Sequence, residues 1–179
     1  MDGLRRAVFL DRDGVVNQSL VRNGKPYPPS CLEELVILPG VPEALAKLRA
    51  EGYLCIVITN QPDVATGVQS LAEVERIHAY LRDTLFLDDI FTCYHVASHR
   101  CSCRKPRPGM LLSAARRHAI ALSQSFMLGD RWRDIEAGKA AGCKTFFIYW
   151  DNHEPLTVDP DYIVPSLAHA GEIILGLNK

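Results

Sequence analysis

The sequence predicts an α/β domain of three layers around a mainly parallel sheet, and two observations predict it. Apolar runs alternate with stretches of helical periodicity along the whole chain, and several of those runs stop abruptly at polar, chemically capable residues. The first run, Val8-Phe9-Leu10, is continuous rather than alternating, as a strand covered on both faces requires, and it ends in Asp11-Arg12-Asp13-Gly14. Open parallel sheets bind ligands beyond the carboxyl ends of their strands, so Asp11 and Asp13 are expected to face such a crevice. Two carboxylates this close repel, which calls for a shared cation or a split between nucleophile and acid/base. Asp13-Gly14 also reads as an ordinary turn dipeptide.

The remaining elements follow in order. Asn17 to Pro29, polar and rich in Gly and Pro, reads as a loop on the crevice rim. Leu35 to Gly40 leads into a helix with Pro42 in its first turn, Val41, Leu45 and Leu48 on one face and Gly52 as its stop. Tyr53 to Ile58 is a second buried strand, followed at once by Thr59-Asn60-Gln61. Ser70 and Glu73 form a capping-box pattern before a helix carrying Leu71, Val74, Ile77, Leu81 and Leu85, with His78 read as a helix-surface residue. A short strand spans about Ile90 to Val96, and Pro108 opens a helix running to about His118. Ser125 to Leu128 is a strand ending in Gly129-Asp130-Arg131, Ile135 to Ala141 a helix closed by Gly142, Lys144 to Tyr149 and Tyr162 to Val164 the last strands, and Ser166 to Leu177 the last helix. No repeat, linker or room for an inserted cap interrupts this pattern, so residues 1–179 read as one domain.

Composition narrows the function. A formal net charge of -1 argues against general nucleic-acid binding, which needs a basic excess; a phosphorylated small molecule needs only a local basic cluster. No apolar run approaches the roughly 20 residues that span a bilayer, and the stretch from Met1 to Arg6 lacks a secretory apolar core. The expected protein is a cytoplasmic monomer without a membrane partner. Its six cysteines are then a poor disulfide framework. Cys93, His95, Cys101 and Cys103 instead supply three sulfurs and one imidazole in a short span, the donor set of a closed structural zinc site, with His99 as a competing ligand. Four protein ligands leave no open position, so zinc would pin the loop carrying Arg104 and Lys105 rather than take part in chemistry. Cys31, Cys55 and Cys143 read as packed residues.

Chemically capable residues recur at comparable strand ends: Asp11 and Asp13, Thr59 and Asn60, then Asp130, with Lys105 opening a helix. A carboxylate that attacks phosphorus needs a neighbouring acid to protonate the departing oxygen, and Asp11 and Asp13 suit those roles. Magnesium, which keeps several waters, would need only Asp11, Asp130 and one backbone carbonyl. Thr59 and Lys105 would hydrogen-bond and neutralise the transferring phosphoryl group.

These residues resemble the four motifs of the haloacid dehalogenase superfamily: Asp11-Arg12-Asp13-Gly14-Val15, Thr59-Asn60, Lys105 and Gly129-Asp130. The Asp-Arg-Asp-Gly opening, Thr59-Asn60-Gln61 and the Cys-x-His with Cys-x-Cys-Arg-Lys-Pro arrangement are similar to the heptose bisphosphate and histidinol phosphate phosphatases. The resemblance implies a Rossmann-like fold without a cap, an aspartyl-phosphate on Asp11, Asp13 as general acid then base, and magnesium held by Asp11, the Asp13 carbonyl and Asp130. It implies phosphate contacts from Thr59 and Lys105, and substrate contacts from Arg12, Asn60, Gln61, Arg104 and Arg131. It favours His95 over His99 at zinc, and gives Asp134 a supporting role to Lys105 or the metal's waters. The implied substrate is the 7-phosphate of D-glycero-D-manno-heptose 1,7-bisphosphate, favoured by a rim of Arg22, Lys25, Arg100, Arg104, Arg107 and Arg131. Histidinol phosphate, another sugar phosphate or a non-catalytic zinc-stabilised binding module are the alternatives. Two departures from the family fall beside the pocket: a short segment between His95 and Cys101, and Pro62-Asp63-Val64 where a Gly-containing turn is usual.

Overall fold

The computed structural model describes residues 3–150 and 155–177; Met1 and Asp2, ahead of the first strand, lie outside the described residues. Side chains of β1 (Arg6–Leu10) alternate between two separate apolar clusters, which is what makes the molecule three layers thick. Val8 and Leu10 share a cluster with Leu45 and Leu48 of α1 (Val41–Ala50), Ile77 and Leu81 of α2 (Leu71–Leu85), and Leu167 and Ile174 of α5 (Leu167–Gly176). Ala7 and Phe9 pack on the other side with Met110, Leu111 and Ala114 of α3 (Gly109–His118) and Ala137 and Ala141 of α4 (Trp132–Ala141). Truncating Phe9, fully buried between strands and helices, would cost about 3–5 kcal/mol.

The six-stranded sheet runs β5 (Asp89–Cys93), β4 (Tyr53–Asn60), β1, β6 (Phe126–Gly129), β7 (Lys144–Ile148), β8 (Tyr162–Val164), with every neighbouring pair parallel. Strand order therefore reverses at β1, between β4 and β6, and this Rossmann-like switch point is where an open sheet leaves a crevice at its carboxyl edge. No cap is inserted among the described residues.

The expected helices and sheet strands are present, and local differences have physical causes. Part of the expected rim loop is a hairpin, β2 (Leu20–Arg22) paired with β3 (Lys25–Tyr27) and turned at Asn23-Gly24, both with positive φ. Ser70 precedes α2 without a side-chain cap, and Glu73 accepts from the Leu32 amide and from Arg76, so the expected capping box does not form. α4 begins at Trp132 rather than Ile135, its first turn secured by Asp134 accepting from the Arg131 amide. β5 stops at Cys93, where the cysteine cluster takes over.

Candidate active site

Asp11 and Asp130 leave β1 and β6 on the two sides of the switch point. Asp11 follows a strand locked to β6 by its own amide, which donates to the Leu128 carbonyl at 2.9 Å. Gly14 lets the two sides meet: its φ is +89°, and a Cβ there would lie 2.1 Å from Asp130 Oδ2. The Gly14 carbonyl accepts from Trp150 Nε1 at 2.9 Å, which places the indole on the crevice wall.

The described bonds of Asp11 all fall on Oδ1, which accepts from the Arg12 amide and from Lys105 Nζ, each at 2.8 Å. Oδ2 is therefore the oxygen left for chemistry. Lys105 is buried and spends its three protons on Asp11 Oδ1, Asp134 Oδ1 at 2.6 Å and the Ile58 carbonyl at 2.7 Å. This corrects the expectation of a free donor to phosphate: in this arrangement Lys105 offers the phosphoryl group its charge and holds the nucleophile. Asp134 is buried and bonded both to Lys105 and to the Arg131 amide, so the same carboxylate touches Lys105 and closes the first turn of its helix.

Three carboxylates, Asp11, Asp130 and Asp134, offer oxygens within 4.8 Å of one another. Lys105 stands directly among them, and Arg131 Nε reaches Asp130 Oδ2 at only 3.8 Å. Burial, then repulsion from Asp134, pushes the Asp11 carboxyl up to about 7, and burial with the charges of Asp11 and Asp134 raises Asp130 well above the usual carboxylate range. Asp130 Oδ1 is buried with no hydrogen-bond partner among the described residues. An oxygen-rich cluster with excess negative charge and an orphaned acceptor fits a hard divalent cation such as magnesium. The Asp13 carboxylate lies outside this group, so Asp13 fits a metal role only through its backbone.

Asp13 is surrounded by donors. Arg12 Nε and Nη2 clasp both its oxygens at 3.0–3.2 Å, Asn17 Nδ2 donates to Oδ1 and Gln61 Nε2 to Oδ2, each at 2.9 Å. Burial would raise this carboxyl, but Arg12 and the two amides outweigh it and hold it below the usual range. Arg12 itself is 0% exposed, so the expectation that it binds substrate is corrected: its guanidinium lies under the crevice and positions Asp13. His78 is likewise not on the helix surface but buried, its Nε2 facing Arg12 Nη1 at 3.0 Å. The spacing Val74, His78, Leu81, Leu85 was a signal for this, since it puts the histidine on the apolar stripe of α2.

Thr59 and Gln61 are buried together, Gln61 Nε2 bridging Thr59 Oγ1 and Asp13, so Gln61 reaches the crevice as a link between the first two strand ends. Asn60 is a clamp: its Oδ1 accepts from the Lys105 amide at 3.1 Å and its Nδ2 donates to the Lys105 carbonyl at 3.2 Å.

The loop that supplies Lys105 is held from behind by the cysteine cluster. Cys93 Sγ lies 3.2 Å from Cys103 Sγ, 3.7 Å from Cys101 Sγ and 3.6 Å from His95 Nδ1, which is 3.3 Å from Cys103 Sγ. Ligands of a tetrahedral zinc at about 2.0–2.3 Å are separated by roughly 3.5–3.8 Å, so the four residues fit that ion. His99 is outside the group, its Nδ1 accepting from the Val96 amide. Two bonds join cluster to crevice: the Cys93 carbonyl accepts from the Gln61 amide, and the His95 carbonyl from Arg104 Nη1 at 3.0 Å. Gly109 lets α3 seat on the loop, since a Cβ would meet the Ser102 carbonyl at 2.2 Å.

The crevice, about 280 Å³, is lined by Asp11, Asp13, Asn60, Gln61, Lys105 and Asp134, with Arg104, Arg131 and Arg133 supplying positive charge. Arg131 also lines an adjoining chamber of about 650 Å³ walled by the hairpin, Leu38, Pro39 and Trp150. The basic rim is narrower than the sequence implies. Arg22 pairs with Glu34 and Arg107 donates to the Cys101 carbonyl, so neither serves it, while Arg133, one residue into α4, lines the crevice although no sequence motif carries it.

A family model described as "HAD-hyrolase-like" matches residues 102–170. The chain is 37% identical over 153 residues to the D-glycero-beta-D-manno-heptose-1,7-bisphosphate 7-phosphatase of Helicobacter pylori, covering 82% of this chain and 85% of that one. It is 38% identical over 144 residues to the D-glycero-alpha-D-manno-heptose-1,7-bisphosphate 7-phosphatase of Mycobacterium bovis, covering 75% and 72%. The crystal structure of the D,D-heptose 1,7-bisphosphate phosphatase of B. bronchiseptica, complexed with magnesium and phosphate, superposes with a TM-score of 0.84 at 31% identity, covering 96% of this chain and 99% of that one. With relatives of more than 30% identity matched over most of their length, the chain belongs to the haloacid dehalogenase superfamily as a phosphatase resembling its heptose bisphosphate phosphatases.

Proposed function

We propose that the protein removes the 7-phosphate of a D-glycero-D-manno-heptose 1,7-bisphosphate through an aspartyl-phosphate on Asp11. The observation that carries this reading is a carboxylate with one free oxygen, Asp11 Oδ2, in a crevice lined by Arg104, Arg131 and Arg133, where Arg131 also borders the larger adjoining chamber. Asp11 attacks phosphorus; Asp13, ionised at rest, passes to the departing sugar oxygen the proton that a phosphate monoanion brings into the crevice, and the same Asp13 then takes a proton from the water that opens the acyl-phosphate. Magnesium on Asp11, Asp130 and the Asp13 carbonyl would neutralise phosphoryl charge beside Lys105. Thr59 is the candidate hydroxyl for a phosphoryl oxygen, with Asn60 keeping Lys105 in place. Arg104, Arg131 and Arg133 favour an anionic distal end over the cationic amine of histidinol phosphate. Relatives named for both anomers have nearly equal identity to this chain, so the anomer is read by assay. Steady-state phosphate release from both anomeric bisphosphates, heptose 7-phosphate and histidinol phosphate tests the reading: kcat/KM should be highest for a bisphosphate. Preference for histidinol phosphate would overturn the substrate.

Magnesium binding should depend on pH. The folded, metal-free protein keeps protons on Asp11 and Asp130 that the unfolded chain releases near the ordinary value of 3.8. More protons on the folded state means that stability falls as pH rises, here from about 4 to about 7 for Asp11, before levelling. Asp13, with a lowered carboxyl, acts oppositely and loses its contribution as pH falls below the ordinary range. Magnesium binds the ionised carboxylates, so its affinity should drop at least tenfold per pH unit below about 7 and its stabilising effect should be largest at alkaline pH. Titration calorimetry and melting curves at several pH values check this; a pH-independent affinity would remove the cluster as the magnesium site.

Zinc on Cys93, His95, Cys101 and Cys103 would act through the loop, and thiols kept free for it suit a reducing, cytoplasmic compartment. Cys103→Ser should lower the melting temperature by several degrees, raise KM severalfold through Arg104 and Lys105, and leave the magnesium requirement intact. Metal analysis of the parent protein should give about one zinc per chain. Unchanged stability and kinetics in this variant, with no zinc in active protein, would end the zinc-loop reading.

A further inference from the structure

The structure holds a buried polar chain that reaches Asp13 from behind and that no crevice residue explains. We propose that His78, through Arg12, is a positioning residue for the acid/base carboxylate: a neutral imidazole on α2 fixes the plane of a buried guanidinium, which in turn fixes both oxygens of Asp13. The inference rests on the acid/base role proposed for Asp13.

The geometry is specific. Arg12 is 0% exposed, and its Nε and Nη2 are both committed to Asp13. Nη1 points the other way and needs an acceptor, since a buried guanidinium proton left unpaired is costly. His78 Nε2 supplies it at 3.0 Å. Arginine can only donate, so His78 must accept at Nε2 and carry its proton on Nδ1. Burial, then the charge of Arg12, pushes the imidazole down to about 3, which keeps it neutral across the working range. Asp13 faces this imidazole from beyond Arg12, and Arg82 lies on the same helix. A surface-helix histidine would need none of this, and an apolar residue on the same stripe of α2 would pack as well but leave Nη1 unanswered. With Nη1 untethered the guanidinium can rotate, and the oxygen of Asp13 that must meet the leaving group loses its fixed direction.

The test compares His78→Leu, which fills the volume without an acceptor, with His78→Gln, whose side-chain oxygen reaches about as far as Nε2. An alkyl phosphate, whose departing oxygen needs a proton, and 4-nitrophenyl phosphate, whose departing oxygen does not, are the two substrates. His78→Leu should lose roughly tenfold or more in kcat/KM on the alkyl ester and little on the aryl ester, since kcat/KM reads only the step in which the leaving group departs and not the shared hydrolysis of the aspartyl-phosphate, while His78→Gln recovers most of the loss. His78→Asn, too short to reach Arg12, serves if the leucine variant does not fold, and should behave like it. In the parent, imidazole nitrogen NMR should show a neutral ring protonated on Nδ1 from pH 5 to pH 8. Equal losses on both esters, no loss, no recovery with glutamine, or a ring that titrates near pH 6.5 overturns the proposal. Asp13→Asn is run alongside. If it lacks leaving-group dependence, the role of Asp13 is what fails; if it has that dependence and His78→Leu does not, the relay alone fails.

Discussion

Asp11→Asn is expected to give a folded protein that releases no phosphate from any ester, a loss on the order of 10⁴-fold or more, because an amide cannot form the acyl-phosphate. The same change should stabilise the metal-free protein above neutral pH. Asp11 is buried beside Asp134 and its carboxyl is pushed up to about 7, so at higher pH the fold carries a charge it disfavours. A neutral isostere removes that charge, and its oxygen can still accept from Lys105 and the Arg12 amide. The gain should be absent below about pH 4, where Asp11 is protonated folded or unfolded, and should grow as pH rises towards 7. Melting curves without magnesium across that range, beside turnover assays, read both effects. A variant that is inactive and less stable at pH 8 would contradict the account of Asp11 as a strained charge held for chemistry. Appreciable turnover would remove the covalent mechanism.

Much of this site could be read from one sequence because strand ends carry it. Continuous apolar runs stopping at Asp11, Thr59 and Asp130 gave both the parallel sheet and the residues at its carboxyl edge, since one topology causes both. The cysteine group was legible for a different reason: metal ligands need no particular secondary structure, only spacing. What sequence missed lies in directions rather than positions. Arg12 and Lys105 stand where expected, but nothing in the sequence says that the arginine turns under the crevice towards His78, or that the lysine spends its protons on Asp11, Asp134 and Ile58. Both follow from burial, which forces each cation to use the acceptors already inside. The Asn23-Gly24 hairpin was hidden for another reason, because its strands span only Leu20–Arg22 and Lys25–Tyr27, too few residues for a period to show. Arg133 needed the start of α4, which the sequence placed at Ile135 and the structure places at Trp132.

Lys105→Met should damage stability and catalysis together, and magnesium should repair only the first. The ammonium is 2% exposed and sits between Asp11 and Asp134, so removing it leaves two buried carboxylates without the cation they share, while Arg131 stays 3.8 Å from Asp130. Breaking a buried pair in this way costs about 3–5 kcal/mol, which for a chain of this size is a fall of roughly 10 °C in melting temperature. The loss should shrink at acid pH, where protonated carboxyls no longer need a counter-charge. Magnesium, binding the same carboxylates, should restore part of the melting temperature at pH 8. It should not restore kcat, expected to fall about 10²–10³-fold, because Lys105 also orients Asp11 Oδ1 and presents its charge to the phosphoryl group. Lys105→Arg is no rescue, since a planar fork cannot point donors at the Ile58 carbonyl and two carboxylates from the space of one ammonium. If Lys105→Met melts like the parent without magnesium, Lys105 is not the cation that balances this cluster; if magnesium brings back full turnover, its charge is redundant with the metal's.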